Sequence, residues 1–388
     1  MRPALDRPRR ITRLLVTGGA GFIGSNFVHT TREEYPETAV TVLDAMTYAA
    51  NPANLAGLDG PDGASSGAAS GGVGAGSGGV EVVEGDICDA ALVDELIGAL
   101  AADTSAGESD GSVGDGTAAV VHFAAESHND NALRDPLRFV RTNVEGTAVL
   151  AEACVRHGVH LHHVSTDEVF GDLPLRGSGE PGAEDRFTVD TPYTPSSVYS
   201  ASKASADHLV RGFVRSHGLS ATISNCSNNY GPRQHPEKFL PRQITGLLDG
   251  EAPRLYGTGE NVRDWIHVDD HNSAVWRILE EGVSGQTYLI GADGEKSNLE
   301  CIHELLAVFG RDSSEFVHVT DRPGHDLRYA IDPSSMESLG WTPHYTDFSE
   351  GLAATVQWYR DNRDWWEVSR RSAEEAYRQT EEILDPEA

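Results

Sequence analysis

The run Leu14-Leu15-Val16 passes directly into Thr17-Gly18-Gly19-Ala20-Gly21-Phe22-Ile23-Gly24, a Gly-x-Gly-x-x-Gly turn that closes an apolar strand and opens a helix. Such a turn lets backbone approach a pyrophosphate, which then rests on the helix N-terminus. The next apolar run, Ala39 to Leu43, ends on Asp44, where a carboxylate is placed to accept from a ribose diol. Ala45 and Met46 offer no cation for a 2′-phosphate, so the pattern favours NAD over NADP. The expected cofactor contacts are Gly18, Gly21, Phe22, Ile23, Gly24, Asp44 and Thr47 at the first two turns. Asp86 and Ile87 are expected to flank the adenine, Ala124, Ala125 and Ser127 to let the cofactor lie across the strand tips, and Thr142 is counted with the cofactor contacts.

The periodicity continues this frame. Strands are predicted at Val80 to Glu84, Ala118 to Phe123 and Leu161 to Ser165, with helices at Phe22 to Arg32, Ala90 to Leu100 and Asn143 to His157. Alternation of this kind predicts an α/β fold: a Rossmann-type doubly wound parallel sheet over residues 11–227, with a smaller, mixed C-terminal substrate lobe over 228–366, interleaved with the first. Residues 60–79 and 103–116 are Gly-, Ser-, Ala- and Asp-rich and are expected to form mobile surface loops, and 367–388 a charged, solvated helix or tail.

Composition excludes some partners. With 388 residues and a formal net charge of -30, nucleic acid and anionic membranes are disfavoured. Lysine occurs only at Lys203, Lys238 and Lys296, a bias that fits adaptation to high salt and equally an arginine-preferring, GC-rich genome. The cysteines Cys88, Cys154, Cys226 and Cys301 are scattered without metal or disulfide spacing, and His122, His162 and His163 have no carboxylate at ligand spacing, so no metal is expected. Met1 to Arg13 is basic but lacks an apolar leader core, and no run nears the ~20 apolar residues of a membrane span. A soluble, cytoplasmic protein is expected.

The chemistry lies in two clusters. Tyr199 stands four residues before Lys203, on one helix face, where the ammonium is expected to lower the phenol's pKa and make it a base towards an alcohol. Asp167 and Glu168 follow a strand end at Ser165-Thr166 and add an acid pair that simple alcohol oxidation does not need. Taken alone, each has a bland reading as surface pair or helix cap; the glycine turn and Asp44 in the same chain favour catalysis.

These residues, with Leu43-Asp44 and Thr47-Tyr48-Ala49, His122 to His128, Cys226 to Pro232, Asn261 to Ile266 and Asp321 to Asp332, make the chain resemble the extended short-chain dehydrogenase/reductases that act on nucleotide sugars, and closely their 4,6-dehydratases. The resemblance implies a dTDP-glucose substrate, a retained NAD and a likeness to homodimers. It further implies that Tyr199 takes the C4 hydroxyl proton, Thr166 holds that oxygen and Lys203 holds the nicotinamide ribose. Glu168 is implied to remove the C5 proton and Asp167 to protonate the departing C6 hydroxyl. By the same carry-over Asn229 faces the nicotinamide, while Ser127, Asn228, Lys238, Phe239, Arg263, Asn298, Arg322 and His325 meet the sugar, diphosphate and base. Phe170, Val198, Asn129 and Asn131 depart from the usual pattern without removing a catalytic group. Sister activities remain open: a UDP- or GDP-sugar dehydratase, a 4-epimerase, a decarboxylase, or a non-catalytic NAD-binding sensor. The acid pair separates the dehydratase from the last three.

Overall fold

The computed structural model describes residues 8–58, 79–105, 116–320, 326–377 and 383–384. The inserts expected at 60–79 and 103–116 fall almost wholly outside the described residues, except that the helix Ala90–Ser105 runs into the second. Arg322 and His325 also lie outside them.

Seven parallel strands form the main sheet, in the order Thr287–Ile290, Ala221–Cys226, His160–Thr166, Thr117–His122, Ile11–Thr17, Ala39–Asp44, Val80–Glu84. Strand order reverses beside Ile11–Thr17, which opens a crevice at the carboxyl ends of the strands there. Because successive strand side chains alternate faces, Leu14 and Val16 enter one core and Leu15 the other. The first core packs Phe27, Val28 and Trp276 from the helices Phe22–Glu34 and Val268–Glu281. The second takes Val93, Ile97, Leu150 and Val210 from Ala90–Ser105, Gly146–His157 and Val198–His217. Each fully buried side chain of this size contributes about 1.5–3 kcal/mol relative to exposure.

The strand His160–Thr166 is buried throughout although it carries three histidines. His160 and His162 bond hydroxyls of Ser220, Thr222 and Ser224 on and beside the next strand at 2.9–3.1 Å, so they serve the sheet. The helix expected from Asn143 begins instead in a π-helical turn, Val140–Glu145, which turns Asn143 inward.

A three-stranded mixed sheet, Glu295–Ser297, Val262–His267 and Asn228–Tyr230, and a parallel pair, Arg254–Tyr256 with Val317–Val319, organise the smaller lobe. The helix Val268–Glu281 and the strand Thr287–Ile290 then return to the main sheet. The C-terminal region is two helices, Phe348–Asp361 and Arg363–Tyr377. Where it is described, the stretch from 367 is helical as expected, continuing this second helix to Tyr377, but it is not simply solvated: Ala373 and Tyr377 are buried, and Glu374 pairs with the buried Arg242 at 2.8 Å. Its charge pattern concealed this, because the pairing partners come from the distant helix Phe239–Leu248.

Candidate active site

A cavity of about 890 Å³ opens at the carboxyl ends of the strands on either side of the order reversal. Its floor is the glycine turn. Gly18 has φ +72°, and a Cβ there would stand 2.7 Å from the Ala124 nitrogen; a Cβ on Gly24 would stand 2.3 Å from the Gly18 oxygen. Only glycine permits this close packing of turn, helix and neighbouring strand. Asp44 closes the far end, its two oxygens accepting from the Ala20 and Met46 nitrogens at 2.9 Å each. Burial raises its pKa and those two hydrogen bonds oppose the rise.

The helix Val198–His217 carries the proposed base. Its start is fixed by a reciprocal cap: Ser197 Oγ accepts from the Ser200 nitrogen and Ser200 Oγ from the Ser197 nitrogen, both at 3.0 Å. Tyr199 in the first turn and Lys203 one turn later both line the cavity. The buried Lys203 donates from Nζ to the Val164 carbonyl at 2.8 Å; burial lowers its pKa, and Asp207 pulls the other way. Tyr199 departs from expectation. Its pKa stands well above the ordinary phenol value, raised first by burial and next by Glu168, while the Thr166 hydrogen bond lowers it. Helix spacing puts Lys203 on the same face as Tyr199, but burial and, after it, the Glu168 carboxylate set the direction of the shift.

Beneath them Asp207 accepts from Tyr193 Oη at 2.8 Å and from Asn225 Nδ2 at 3.1 Å, and faces His163 Nε2 at 3.1 Å. Asn225 also donates to the Thr166 carbonyl at 3.1 Å, which fixes the strand end from which the acid pair springs. Thr166 then caps a short 3-10 turn, Asp167–Phe170, accepting from the Glu168 nitrogen at 3.3 Å. Burial, followed by Glu168 and Asp264, drives the Asp167 pKa well above the carboxylate range. Burial thus favours the neutral, protonated form of Asp167.

The cavity gathers the predicted cofactor set: Gly18, Gly21, Phe22, Ile23, Gly24, Asp44, Thr47, Asp86, Ile87, Ala124, Ala125, Ser127, Thr142, Tyr199, Lys203 and Asn229. It also gathers Thr166, Asp167, Glu168, Asn228 and Lys238. Buried acceptors on its wall, Asn228 Oδ1, Asn229 Oδ1 and Gln234 Oε1, have no partner among the described residues, and suit amide and hydroxyl donors of a dinucleotide and sugar. The chain therefore fits NAD.

Phe239, Arg263 and Asn298 do not line this cavity. Arg263 instead donates to the Val262 and Asp326 carbonyls at 2.8 and 3.0 Å and lies over the Tyr329 ring. Asn298 opens the buried end of the helix Asn298–Val308, and Phe239 stacks on Trp265.

Sequence reasoning missed Glu126, Arg138 and Gln234 on the wall. Arg138 pairs with the buried Glu126 at 2.6 Å, and Asn143 pins the Glu126 backbone through bonds to its nitrogen and oxygen at 2.8 and 3.0 Å. The one available signal was that Glu126 directly precedes Ser127 at a strand tip.

The chain belongs to the NAD dependent epimerase/dehydratase family, whose profile matches residues 14–291. Within it, the chain is 55% identical over 368 residues to the dTDP-glucose 4,6-dehydratase of Mycobacterium tuberculosis, covering 95% of this chain and 99% of that protein. The corresponding enzyme of Mycolicibacterium smegmatis is 54% identical over the same length, with 95% and 99% covered. DesIV, the dTDP-glucose 4,6-dehydratase of Streptomyces venezuelae solved with NAD, matches with a TM-score of 0.77 and 41% identity over 92% of this chain and 99% of its own. The UDP-glucose 4-epimerase of Thermotoga maritima matches with a TM-score of 0.73 but 26% identity, over 90% and 99%.

Proposed function

We propose that this chain is an NAD-dependent dTDP-glucose 4,6-dehydratase, a hydro-lyase that converts dTDP-glucose to dTDP-4-keto-6-deoxy-glucose and water. The observation that carries the reading is the placement of Asp167 and Glu168 in the same cavity as Tyr199 and Lys203. A 4-epimerase needs the second pair alone. Identity of 55% to dTDP-glucose 4,6-dehydratases over nearly the whole chain supports the same substrate.

NAD, cradled by the glycine turn and Asp44, supplies the electron-pair acceptor at C4 and donor at C6. In this reading Tyr199 takes the C4 hydroxyl proton while Thr166 holds that oxygen, leaving a 4-ketone that acidifies the C5 proton. Glu168 removes that proton. Asp167, whose burial favours the protonated form, gives its proton to the C6 hydroxyl, which leaves as water. Glu168 returns its proton to C5 as C6 receives the hydride, while the proton taken up by Tyr199 makes good the one lost from Asp167. Lys203 orients the cofactor ribose. Asn229 meets the nicotinamide side and Ser127 lies between cofactor and sugar; Asn228 and Lys238 hold sugar or phosphate. Arg263, Phe239 and Asn298 complete the nucleotide site on closure of the smaller lobe, Arg263 by giving its guanidinium fork to the diphosphate. Arg322 and His325 are assigned to the same nucleotide site. A cytoplasmic homodimer adapted to high salt completes the proposal.

Incubation with dTDP-glucose and no added NADH tests it. The expected product is lighter by one water and shows the alkaline absorbance of a 4-keto sugar. An isomer of unchanged mass would establish epimerisation instead, and UDP- and GDP-glucose run in parallel read the base preference. Sedimentation of the purified protein reads the dimer.

A further inference from the structure

The second lobe ends in an aromatic segment in which Trp365 and Tyr359 make polar contacts towards the cofactor cleft. Trp365 Nε1 donates to Asn54 Oδ1 at 2.8 Å across 311 residues of sequence. Asn54 is buried, and its Nδ2 donates to the Ala20 carbonyl, in the middle of the glycine turn, at 2.8 Å. Ala20 in turn donates its own N–H to Asp44. An indole of the last helix is thereby two hydrogen bonds from the pyrophosphate cradle and three from the ribose carboxylate, while Trp365 itself does not line the cavity.

The same segment reaches the other end of the cleft. Tyr359 Oη donates to the Gln234 carbonyl, and Gln234 Nε2 donates to the Asn229 carbonyl at 2.9 Å. Gln234 and Asn229 both line the cavity. Trp358 meets Trp365 edge to face at 5.0 Å and lies under Arg233, which donates to Asn26 on the glycine-turn helix at 2.8 Å. Trp366 Nε1 ties back to the Tyr359 carbonyl at 2.7 Å.

We propose that residues 358–366 form a retention clamp for the cofactor, in which Trp365 is a positioning residue acting through Asn54 on the glycine turn. The clamp gives a physical reason for a dinucleotide to stay bound through many turnovers: widening the cradle at Ala20 must break its bonds from Asn54 Nδ2 and the Asn51 nitrogen or pull Asn54 away from the indole. This rests on the reading that NAD is the resident cofactor. It does not depend on which sugar is dehydrated.

The test is the affinity of the stripped enzyme for NAD, measured by calorimetry, in wild type, Trp365→Phe, Asn54→Ala and the double variant. Losing one neutral hydrogen bond that matters only with NAD in place is expected to raise Kd for NAD about three- to tenfold, with loss of bound NAD on gel filtration. In Trp365→Phe, kcat at saturating NAD is expected to stay within about twofold. The double variant is expected to be no worse than Asn54→Ala, because the two residues act in series. An unchanged Kd in folded Trp365→Phe, with only a lower melting temperature, would overturn the proposal, as would additive effects. Hydrogen exchange on the wild-type chain gives a readout free of mutation: NAD must slow exchange of the amides in 358–366, and failure to do so sinks the clamp even if neither variant folds. A defect in sugar dehydration with normal NAD affinity would point away from the clamp and leave the cofactor assignment standing.

Discussion

Thr166 Oγ1 stands 3.3 Å from Asp167 Oδ1, while Asp167 Oδ2 is buried with no partner among the described residues. An ionised carboxylate in that position would leave a charged oxygen poorly solvated and without a donor, so burial favours the protonated acid, the form that the proposed proton transfer to a leaving hydroxyl needs.

It follows that Asp167→Asn separates oxidation from dehydration. The amide keeps the shape but cannot release a proton, so turnover to the 4-keto-6-deoxy product is expected to fall by about two to four orders of magnitude. Oxidation at C4 does not use this group, and absorbance near 340 nm from reduced cofactor is expected to accumulate on mixing with dTDP-glucose. If product formation and the absorbance rise fall together, Asp167 is not the elimination acid.

The elevated Tyr199 pKa gives a second test. Glu168 is the largest contributor after burial, and a like charge close to a phenol disfavours the phenolate. As a base, Tyr199 acts deprotonated, so the oxidation half-reaction rises with pH through its pKa. Replacing the carboxylate in Glu168→Gln is expected to move that ascending limb to lower pH, although overall turnover drops because C5 proton removal is lost. A limb that stays put, followed at 340 nm in single turnovers, would mean that another group titrates.

These relationships differ in how far the chain announces them. The glycine turn, Asp44 and the Tyr199-Lys203 pair are local patterns, fixed by strand and helix periods, and were readable at once. The direction of the Tyr199 pKa was not, because Glu168 reaches the phenol only once the strand His160–Thr166 and the helix Val198–His217 are packed together. Arg263 is assigned to the diphosphate by its motif, but the sequence does not show that its donors rest on the backbone carbonyls of 262 and 326 here and must turn from them to reach phosphate. The Trp365 to Asn54 bond had no signal at all: each residue is unremarkable in its own segment.

Buried histidines predict a pH effect on stability. His271 is fully buried, and burial lowers its pKa to about 3 against the opposing effect of Asn272 beside it. In the unfolded chain it titrates near ~6.5. The folded state therefore takes up this proton only far below that pH, and the group's contribution to stability is complete above ~6.5 and lost as pH falls towards 3. His271→Leu removes that dependence. Relative to wild type, its stability is expected to improve by about 1.4 kcal/mol per pH unit below ~6. Urea unfolding at pH 7 and pH 5 reads this, and equal differences at both would show that His271 is solvated or paired.

Salt supplies the last test, because two electrostatic effects in this chain have opposite signs. Surface ion pairs such as Arg156 with Glu152, 3.1 Å apart, or Arg311 with Glu315, 2.6 Å apart, are weakened by screening, but each exposed pair is worth only ~0–1 kcal/mol. Against them stands the self-repulsion of a formal charge of -30. Raising salt from ~0.15 to ~1 M shortens the Debye length from about 8 to about 3 Å, which removes most repulsion between carboxylates that are not in contact while leaving buried pairs largely untouched. Repulsion acts among all the excess acids and the pairs act singly, so screening is expected to stabilise on balance. The melting temperature should climb by several degrees from low to molar KCl. Sucrose at matched viscosity should not reproduce the low-salt onset of the climb, since it screens no charge. A flat or falling melting curve would mean that the acidic surface is already neutralised at low salt, and would remove the argument for adaptation to high salt.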